Sequence, residues 1–204
     1  MSTHADHGGP SFTADLYRQT IADLQAALAR LDTSQLEAVE KLALAIKQAW
    51  GQGGQFLICG NGGSAADSQH IAAELVGRFL AERPGYRAEA LTVNTSTLTA
   101  VGNDYGFDHI FSRQVQAKGR PGDVLLVIST SGNSKNCILA VEEARRQDMA
   151  VFGFLGGDGG QLLPLLDGAM VAPSAATPRI QEIHITMGHL LCQVLEEAMG
   201  CNND

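Results

Sequence analysis

The chain has 204 residues, of which 45% are hydrophobic and 18% are charged, and its formal net charge is −8. A chain of this length can bury one core, and no proline-rich or serine-rich linker divides it. We therefore expect a flexible tail over residues 1–10 and a single domain over residues 11–204. The negative charge, without any basic cluster, argues against a nucleic-acid partner. No apolar run reaches the ~18 residues of a membrane helix and the first residues lack a secretory apolar segment, so we expect a cytoplasmic protein with no membrane partner.

Two amphipathic helices are predicted before the first strand, at 14–31 and 36–50, because apolar residues recur at spacings of three and four. Asp32-Thr33-Ser34 between them is typical of a turn and a helix cap. A compact sheet does not need two such helices. We therefore expect their apolar faces to lie in a subunit interface.

From Gln55 onward, predicted strands and helices alternate along the chain. The strands are continuous apolar runs, as is typical of strands buried on both faces. This pattern predicts an α/β fold in which helices flank a parallel five-stranded sheet, with the first two helices as an N-terminal extension. The predicted strands are 55–59, 88–93, 124–129, 150–155 and 168–172, and the predicted helices are 65–79, 97–101, 134–147 and 179–199.

A glycine-rich loop, Gly60-Asn-Gly-Gly-Ser-Ala65, joins the first predicted strand to a helix. Small residues let the backbone approach a ligand, and the N–H groups and dipole of the helix N-terminus favour an anion. The loop also satisfies the spacing of the dinucleotide fingerprint. However, the second predicted strand ends in Leu91-Thr-Val-Asn94, without the acidic residue that would hold a ribose. The loop therefore favours a phosphate over a nucleotide.

A second loop of the same kind, Ser129-Thr-Ser-Gly-Asn-Ser134, follows the third predicted strand and precedes another helix. Its hydroxyls and exposed amides form a dense set of donors for phosphate oxygens. Both loops lie beyond the carboxyl ends of their strands, which is where ligands bind to parallel sheets. Together they predict a phosphorylated polyol as ligand.

Candidate groups for chemistry lie on two of the predicted helices. His70 and Glu74 are four residues apart and share one helical face just beyond the first loop. In the last helix, Gln181 lies within about 80° of His189 around the axis. Glu182, seven residues from His189, nearly eclipses it, so helical geometry leaves the partner of His189 open. His184 projects away from His189, which favours a structural role or a place in an interface.

Four segments of the chain resemble the sedoheptulose 7-phosphate isomerases, also called phosphoheptose isomerases. The segments are CGNGGSAADSQHIAAEL (59–75), VGNDYGF (101–107), ISTSGNS (128–134) and RIQEIH (179–184), the last followed by His189. They occur in order over nearly the whole chain. The resemblance implies a single SIS (sugar isomerase) domain with a flavodoxin-like three-layer arrangement, and a homotetramer whose active sites form between subunits.

Carried over position by position, the resemblance also implies the site residues. Glu74 and His189 are the implied acid/base pair, and one zinc ion per subunit is implied at His70, Glu74, Gln181 and His189. In this way the resemblance selects Gln181 over Glu182. The implied substrate contacts are Asn61, Gly62, Gly63, Ser64, Glu74, Asn103, Asp104, Ser129, Thr130, Ser131, Ser134 and Gln181.

The expected activity is conversion of D-sedoheptulose 7-phosphate to D-glycero-D-manno-heptose 7-phosphate through an enediol. Some family members carry an acidic residue just before the Arg-Ile-Gln run. This chain has Thr177-Pro178 there, so a carboxylate role does not carry over to that position. The alternative is a noncatalytic regulator, since some relatives with this domain bind the bacterial replication-initiator protein. Glu74 and His189 favour the isomerase, because a binding module needs no acid/base pair above a phosphate site.

Overall fold

The computed structural model describes residues 12–200, so the predicted tail over 1–10 lies outside the described residues. The helices are α1 (Phe12–Leu28), α2 (Thr33–Gly51), α3 (Gly63–Val76), α4 (Thr95–Tyr105), α5 (Ser112–Lys118), α6 (Lys135–Arg146) and α7 (Thr177–Ala198). The strands are β1 (Phe56–Gly60), β2 (Ala88–Ala90), β3 (Val124–Ser129), β4 (Ala150–Gly156) and β5 (Gly168–Ala172). Short 3-10 helices are formed by Phe107–His109 and Leu163–Leu165.

The strands form one parallel five-stranded sheet, as predicted, and the structure places them in the order β2-β1-β3-β4-β5. Ile58 pairs with Leu126, and Leu126 pairs with Phe152. The chain passes from β1 outward to β2 on one side and to β3 on the other. The topological switch point therefore lies between β1 and β3, the strands that precede the two predicted phosphate loops.

Alternate residues of the strands supply two cores, one on each face of the sheet. On one face, Phe56, Ile58 and Leu126 pack with α2, α3 and α7. On the other face, Leu57 and Leu125 pack with α5 and α6. Burial on both faces accounts for the continuous apolar runs in the sequence.

The prediction that both N-terminal helices face another subunit is wrong for α2. Its apolar stripe, which includes Val39, Leu42 and Ile46, is buried in the core of the same chain. The predicted helix near 97–101 forms part of α4, which has no fully buried residue but packs Leu98 and Val101 against the core on the α5 and α6 side of the sheet. By contrast, α1 leaves Tyr17 exposed on its surface, and Leu16 and Ile21 are exposed beside it.

The region between α4 and β3 holds structure that the sequence did not indicate. α4 extends to Tyr105, and α5 follows the 3-10 helix that ends at His109. α5 is only 7 residues long, too short to show a helical period, and it places Val115 in the core. Across residues 12–200, no helix combines the length and the apolar character needed to span a membrane.

His184 lies on α7 and faces the core rather than the candidate site. Its Nε2 donates a hydrogen bond to the Leu155 carbonyl of β4 at 2.9 Å, and its ring lies against Phe154. Nδ1 is buried and has no partner among the described residues. Burial lowers the pKa of His184 to about 4, although the bond to Leu155 opposes this shift. His184 therefore joins α7 to the sheet as a neutral imidazole, which agrees with a structural role.

This burial predicts a pH dependence of stability. Because the folded-state pKa is about 4 and the ordinary value is 6.5, the unfolded chain binds the extra proton between these pH values. The contribution of neutral His184 is complete above pH 6.5 and is lost as the pH falls towards 4. Between pH 7 and pH 4, the free energy of unfolding of the wild type should fall by about 3 kcal/mol more than that of His184→Gln. Urea denaturation at each pH measures the free energy of unfolding, and His109→Gln, which changes an exposed histidine, is the control. The same change of that free energy with pH in all three proteins would contradict the prediction.

Candidate active site

The first loop turns from β1 into α3 with little room for side chains. A methyl group on Gly60 would lie 2.8 Å from the Ile128 carbonyl oxygen, and Gly62 has a φ of +56°. Ser64, buried in the first turn of α3, donates its backbone N–H to the Asn61 carbonyl at 3.0 Å. No side chain caps α3 at Gly62, but the Ala65 and Ala66 N–H groups donate to the Gly62 carbonyl, so the Gly63 N–H and the helix dipole are what this end offers an anion.

The second loop presents hydroxyls at the carboxyl end of β3. The Ser129 and Ser134 hydroxyls lie 3.1 Å apart. Thr130, which follows Ser129 in the chain, is half-buried. Asn133 fixes the loop: its amide donates to the Ser131 carbonyl at 2.8 Å and accepts from the Gln161 N–H at 3.1 Å. The side chain of Ser134 does not cap α6, so the first N–H groups of that helix are open too.

A pair of amides joins the two loops. Asn61 donates to Asn136 at 2.8 Å, and Asn136 donates back to Asn61 at 2.9 Å. Next to this pair, Cys59 of β1 and Cys137 of α6 are buried and hydrogen bonded, and that bond together with burial raises the pKa of Cys59 well above its ordinary value. Sequence reasoning missed Asn136, because nothing in a helical run marks one asparagine as the partner of a residue 75 positions away.

Glycines also bring α3 and α7 close together. A methyl group on Gly188 would lie 2.8 Å from Ile71 Cδ1, and one on Gly63 would collide with the Gln181 amide. Gln181 thus packs directly on the first loop. Glu182, the alternative that the helical wheel left open, is turned to Arg179, whose Nη2 donates to it at 2.6 Å.

The candidate acid/base residues meet where these helices pack. His70 Nε2 lies 3.1 Å from Glu74 Oε1 and 3.4 Å from His189 Nε2. The two imidazole rings meet edge to face with centroids 5.0 Å apart. The ring of Phe79 stacks on His189 with centroids 5.6 Å apart, so that imidazole contacts two aromatic rings.

Asp67 is a further acidic residue at this cluster that sequence reasoning did not single out. Burial raises the pKa of its carboxyl, and the charges of His70 and His189 only partly oppose that shift. Its Oδ2 atom is buried without a hydrogen-bond partner among the described residues. Its position one turn before His70 was the signal that could have found it.

Asn103 and Asp104 stand apart from this cluster. Both are exposed on α4, and Asn103 donates a hydrogen bond to Asp104 at 2.8 Å. Thr177 and Pro178 are exposed in the first turn of α7, where proline is well accommodated.

A cleft of about 160 Å³ lies beside the first loop and is lined by Asn61, Gly62, Thr92, Phe107 and Phe111 among others. A larger cleft of about 420 Å³, lined by Asp23, Arg30, Ser174 and Arg179, includes none of the candidate residues.

The donor atoms of the cluster suit zinc in their chemistry. Two ligands of a tetrahedral zinc ion with bonds of about 2.0 Å lie roughly 3.3 Å apart, close to the spacing between the two Nε2 atoms. Glu74, however, is hydrogen bonded to His70. Within residues 12–200, no three His, Cys, Asp or Glu side chains already form a metal-binding group. The two spacings around His70 Nε2, 3.1 Å to Glu74 and 3.4 Å to His189, are nevertheless both close to those between zinc ligands.

Comparisons with known proteins agree with this architecture. The SIS domain family model matches residues 19–156. A phosphoheptose isomerase of Rhodospirillum rubrum is 55% identical over 162 residues, which is 79% of this chain and 86% of that protein.

The chain belongs to the phosphoheptose isomerase family.

The structure of the phosphoheptose isomerase from Neisseria gonorrhoeae superposes with a TM-score of 0.84 at 44% identity, covering 90% of this chain and 99% of that one. The phosphoheptose isomerase from Francisella tularensis gives a TM-score of 0.83 at 38% identity, covering 91% and 97% of the two chains. The predicted SIS fold and family are thereby confirmed. Three of the segments quoted for the resemblance, 59–75, 128–134 and 179–184 with His189, supply the two loops and the α3/α7 contact, whereas Asn103 and Asp104 of the fourth lie on the exposed α4.

The second loop yields a prediction about binding. Ser134→Ala removes a hydroxyl that would contact the phosphate equally in the ground state and the transition state. We expect KM for a sugar phosphate to rise about tenfold while kcat changes less than about twofold. Steady-state kinetics measure both, and Ser112→Ala on α5 is the control. A loss confined to kcat would show that this loop does not hold the phosphate.

Proposed function

We propose that the protein is an aldose–ketose isomerase that converts D-sedoheptulose 7-phosphate to D-glycero-D-manno-heptose 7-phosphate. The observation that carries the proposal is the cluster of His70, Glu74 and His189, with Nε2 to Oε1 and Nε2 to Nε2 distances of 3.1 and 3.4 Å. The cluster stands beside two phosphate loops in a chain about half identical to phosphoheptose isomerases over most of its length.

The phosphate group would bind to the two loops. Ser129, Thr130, Ser131 and Ser134 offer hydroxyls, and the open N-termini of α3 and α6 offer N–H groups and favourable dipoles. Asn61, Gly62, Gly63 and Ser64 complete the first side. We also assign Asn103 and Asp104 to the substrate on the strength of the family motif alone, since in this chain they lie on the exposed α4.

The reaction moves a proton between C1 and C2 of the sugar through an enediol. Glu74 would remove the proton from C1 and return it to C2, while His189 would move a proton between O1 and O2. The stack on Phe79 and the contact with His70 restrain His189, which keeps its ring in the orientation needed for both oxygens. Gln181, packed on the first loop, would orient the substrate hydroxyls.

We propose zinc as the cofactor, held by His70, Glu74, Gln181 and His189. Bound zinc would act as a Lewis acid on the substrate oxygens. The support is the nitrogen and oxygen donor set, the spacing of the two histidines and the nearby unpartnered oxygen of Asp67. The relatives named above give no support to the alternative of a noncatalytic regulator, and this chain keeps both Glu74 and His189.

An assay with sedoheptulose 7-phosphate, with and without chelator, tests the proposal. Wild type should form the aldose phosphate. Glu74→Gln and His189→Ala should each lower kcat about 10²- to 10⁴-fold while the protein stays folded, because each removes one acid/base group. Chelator should also lower the rate, and added zinc should restore it.

Matched controls keep this assay specific. Glu82→Gln changes an exposed carboxylate that pairs with Arg78 at 3.7 Å, and His109→Ala changes an exposed histidine. Both should retain the wild-type rate. Near-normal turnover in both Glu74→Gln and His189→Ala would refute the assignment of the acid/base pair, and an inactive wild type would refute the substrate.

We further propose a homotetramer in the cytoplasm. The helix α1 exposes the apolar side chains of Leu16, Tyr17 and Ile21. Phe107 is also exposed, next to α4, a helix in which no residue is fully buried. Such surfaces suit contacts between subunits. Cys59, Cys137 and Cys192 are free thiols, which suits a reducing compartment.

Sedimentation should give four times the chain mass of 21.5 kDa. Tyr17→Glu places a charge in the exposed apolar stripe of α1 and should shift the protein towards smaller species with lower activity. Gln25→Glu adds the same charge to an exposed polar position of that helix and should leave the assembly intact. A fully active wild-type monomer in light scattering would contradict the proposal.

A further inference from the structure

A buried ion pair lies next to the candidate site but outside the residues assigned to it. Arg83 Nε and Glu196 Oε1 are 3.0 Å apart, and their side chains are only 2% and 3% exposed. Removing two charges from water is costly, and an apolar pair of the same volume often stabilises a fold as well. The contacts of this pair therefore need an explanation beyond the stability of the fold.

Glu196 fixes the chain that follows α3. Its carboxylate accepts backbone N–H groups from Phe79 at 3.1 Å and from Leu80 and Ala81 at 3.0 Å. Burial alone would raise the pKa of Glu196, but these three N–H groups and Arg83 outweigh it and lower the pKa. The carboxylate is therefore ionised when it holds Phe79, whose ring stacks on His189.

Arg83 fixes the end of α3 itself. Its Nη2 donates to the Glu74 carbonyl at 2.9 Å, and its Nη1 donates to the Leu75 carbonyl at 2.9 Å. The last carbonyls of a helix have no partner within the helix, so the guanidinium acts as a C-terminal cap. Arg83 also lies 4.1 Å from the centroid of the Tyr86 ring, which stacks on Trp50.

Both residues thus act on elements that carry the acid/base pair. Arg83 binds the backbone of Glu74 on α3, and Glu196 lies two turns after His189 on α7. We propose that Arg83 and Glu196 are positioning residues that set the Glu74 carboxylate against the His189 imidazole, an inference that rests on the proposed function. A displacement of about 1 Å between reacting groups can lower a rate about 100-fold.

The first test replaces both members together. Arg83→Met with Glu196→Gln leaves no unpaired buried charge, and the glutamine oxygen still accepts backbone N–H groups. We expect kcat for sedoheptulose 7-phosphate to fall about 10- to 100-fold, with KM within about threefold because both phosphate loops are untouched. Arg145→Met is the control, since it breaks a distant ion pair in which Arg145 and Asp167 lie 2.9 Å apart. An unchanged kcat below a lowered Tm would show a purely structural pair and overturn the proposal.

A second test does not disturb the ion pair. Phe79 and Leu80 both donate backbone N–H groups to Glu196, but the Phe79 ring stacks on His189 whereas the Leu80 side chain is exposed. Phe79→Leu should therefore lower kcat about tenfold, and Leu80→Ala should not change it. Equal kinetics in these two variants would overturn the role of the Phe79 stack, and would do so even if the double variant does not fold.

A third readout does not depend on turnover. In protein with ¹³Cε1-labelled histidine, the His189 signal, assigned with His189→Ala, should move at fixed pH in Arg83→Met/Glu196→Gln and in Phe79→Leu. It should stay in place in Arg145→Met and Leu80→Ala. If the wild type does not turn over the heptose phosphate but the His189 signal still moves in both test variants, the positioning role is supported and the proposed substrate is refuted. An unmoved signal in both test variants would refute the positioning role whatever the activity.

Discussion

The close packing of α3 against α7 is the constraint on which the rest of the site depends. His70 and Glu74 lie on one helix and Gln181 and His189 on the other, so the packing of the helices sets the distances between the two pairs. In this packing a methyl group on Gly188 would meet the end of the Ile71 side chain at 2.8 Å, and one on Gly63 would meet the end of the Gln181 side chain. Glycine at these positions costs some helix stability, since it loses more chain entropy on folding than alanine does. The gain is an interhelical approach short enough for two imidazoles to share a contact.

The second constraint is electrostatic. A chain with a net charge of −8 is not an obvious receptor for a phosphate, and neither loop depends on a cluster of cations. The geometry offers neutral donors instead: hydroxyls, uncapped N–H groups and two helix dipoles at the switch point of the sheet. Such donors act over short range. Their spacing therefore matters more than their number, and the reciprocal amides of Asn61 and Asn136 fix the spacing of the two loops.

Much of this arrangement could be predicted from the sequence, because the relevant signals are local. Continuous apolar runs indicated buried strands, and glycines followed by hydroxyls indicated loops at their carboxyl ends. The position of α2 could not be predicted, since an amphipathic stripe does not say whether it covers its own sheet or a neighbouring subunit. Asn136, Asp67 and the pair of Arg83 with Glu196 were missed for a related reason. Their partners are set by the tertiary fold, and the Arg83–Glu196 contact spans 113 residues of sequence.

The pairing of Cys59 with Cys137 has a consequence for the redox chemistry of the protein. Peroxide and alkylating agents react with a thiolate, and the raised pKa of Cys59 keeps its thiol protonated at neutral pH. Burial also excludes such reagents from the sulfur. A thiol can therefore lie next to the two candidate phosphate loops without adding negative charge or a point of oxidative damage there. Labelling of Cys59 would then report opening of the β1–α6 region, which makes this residue a built-in probe of local unfolding.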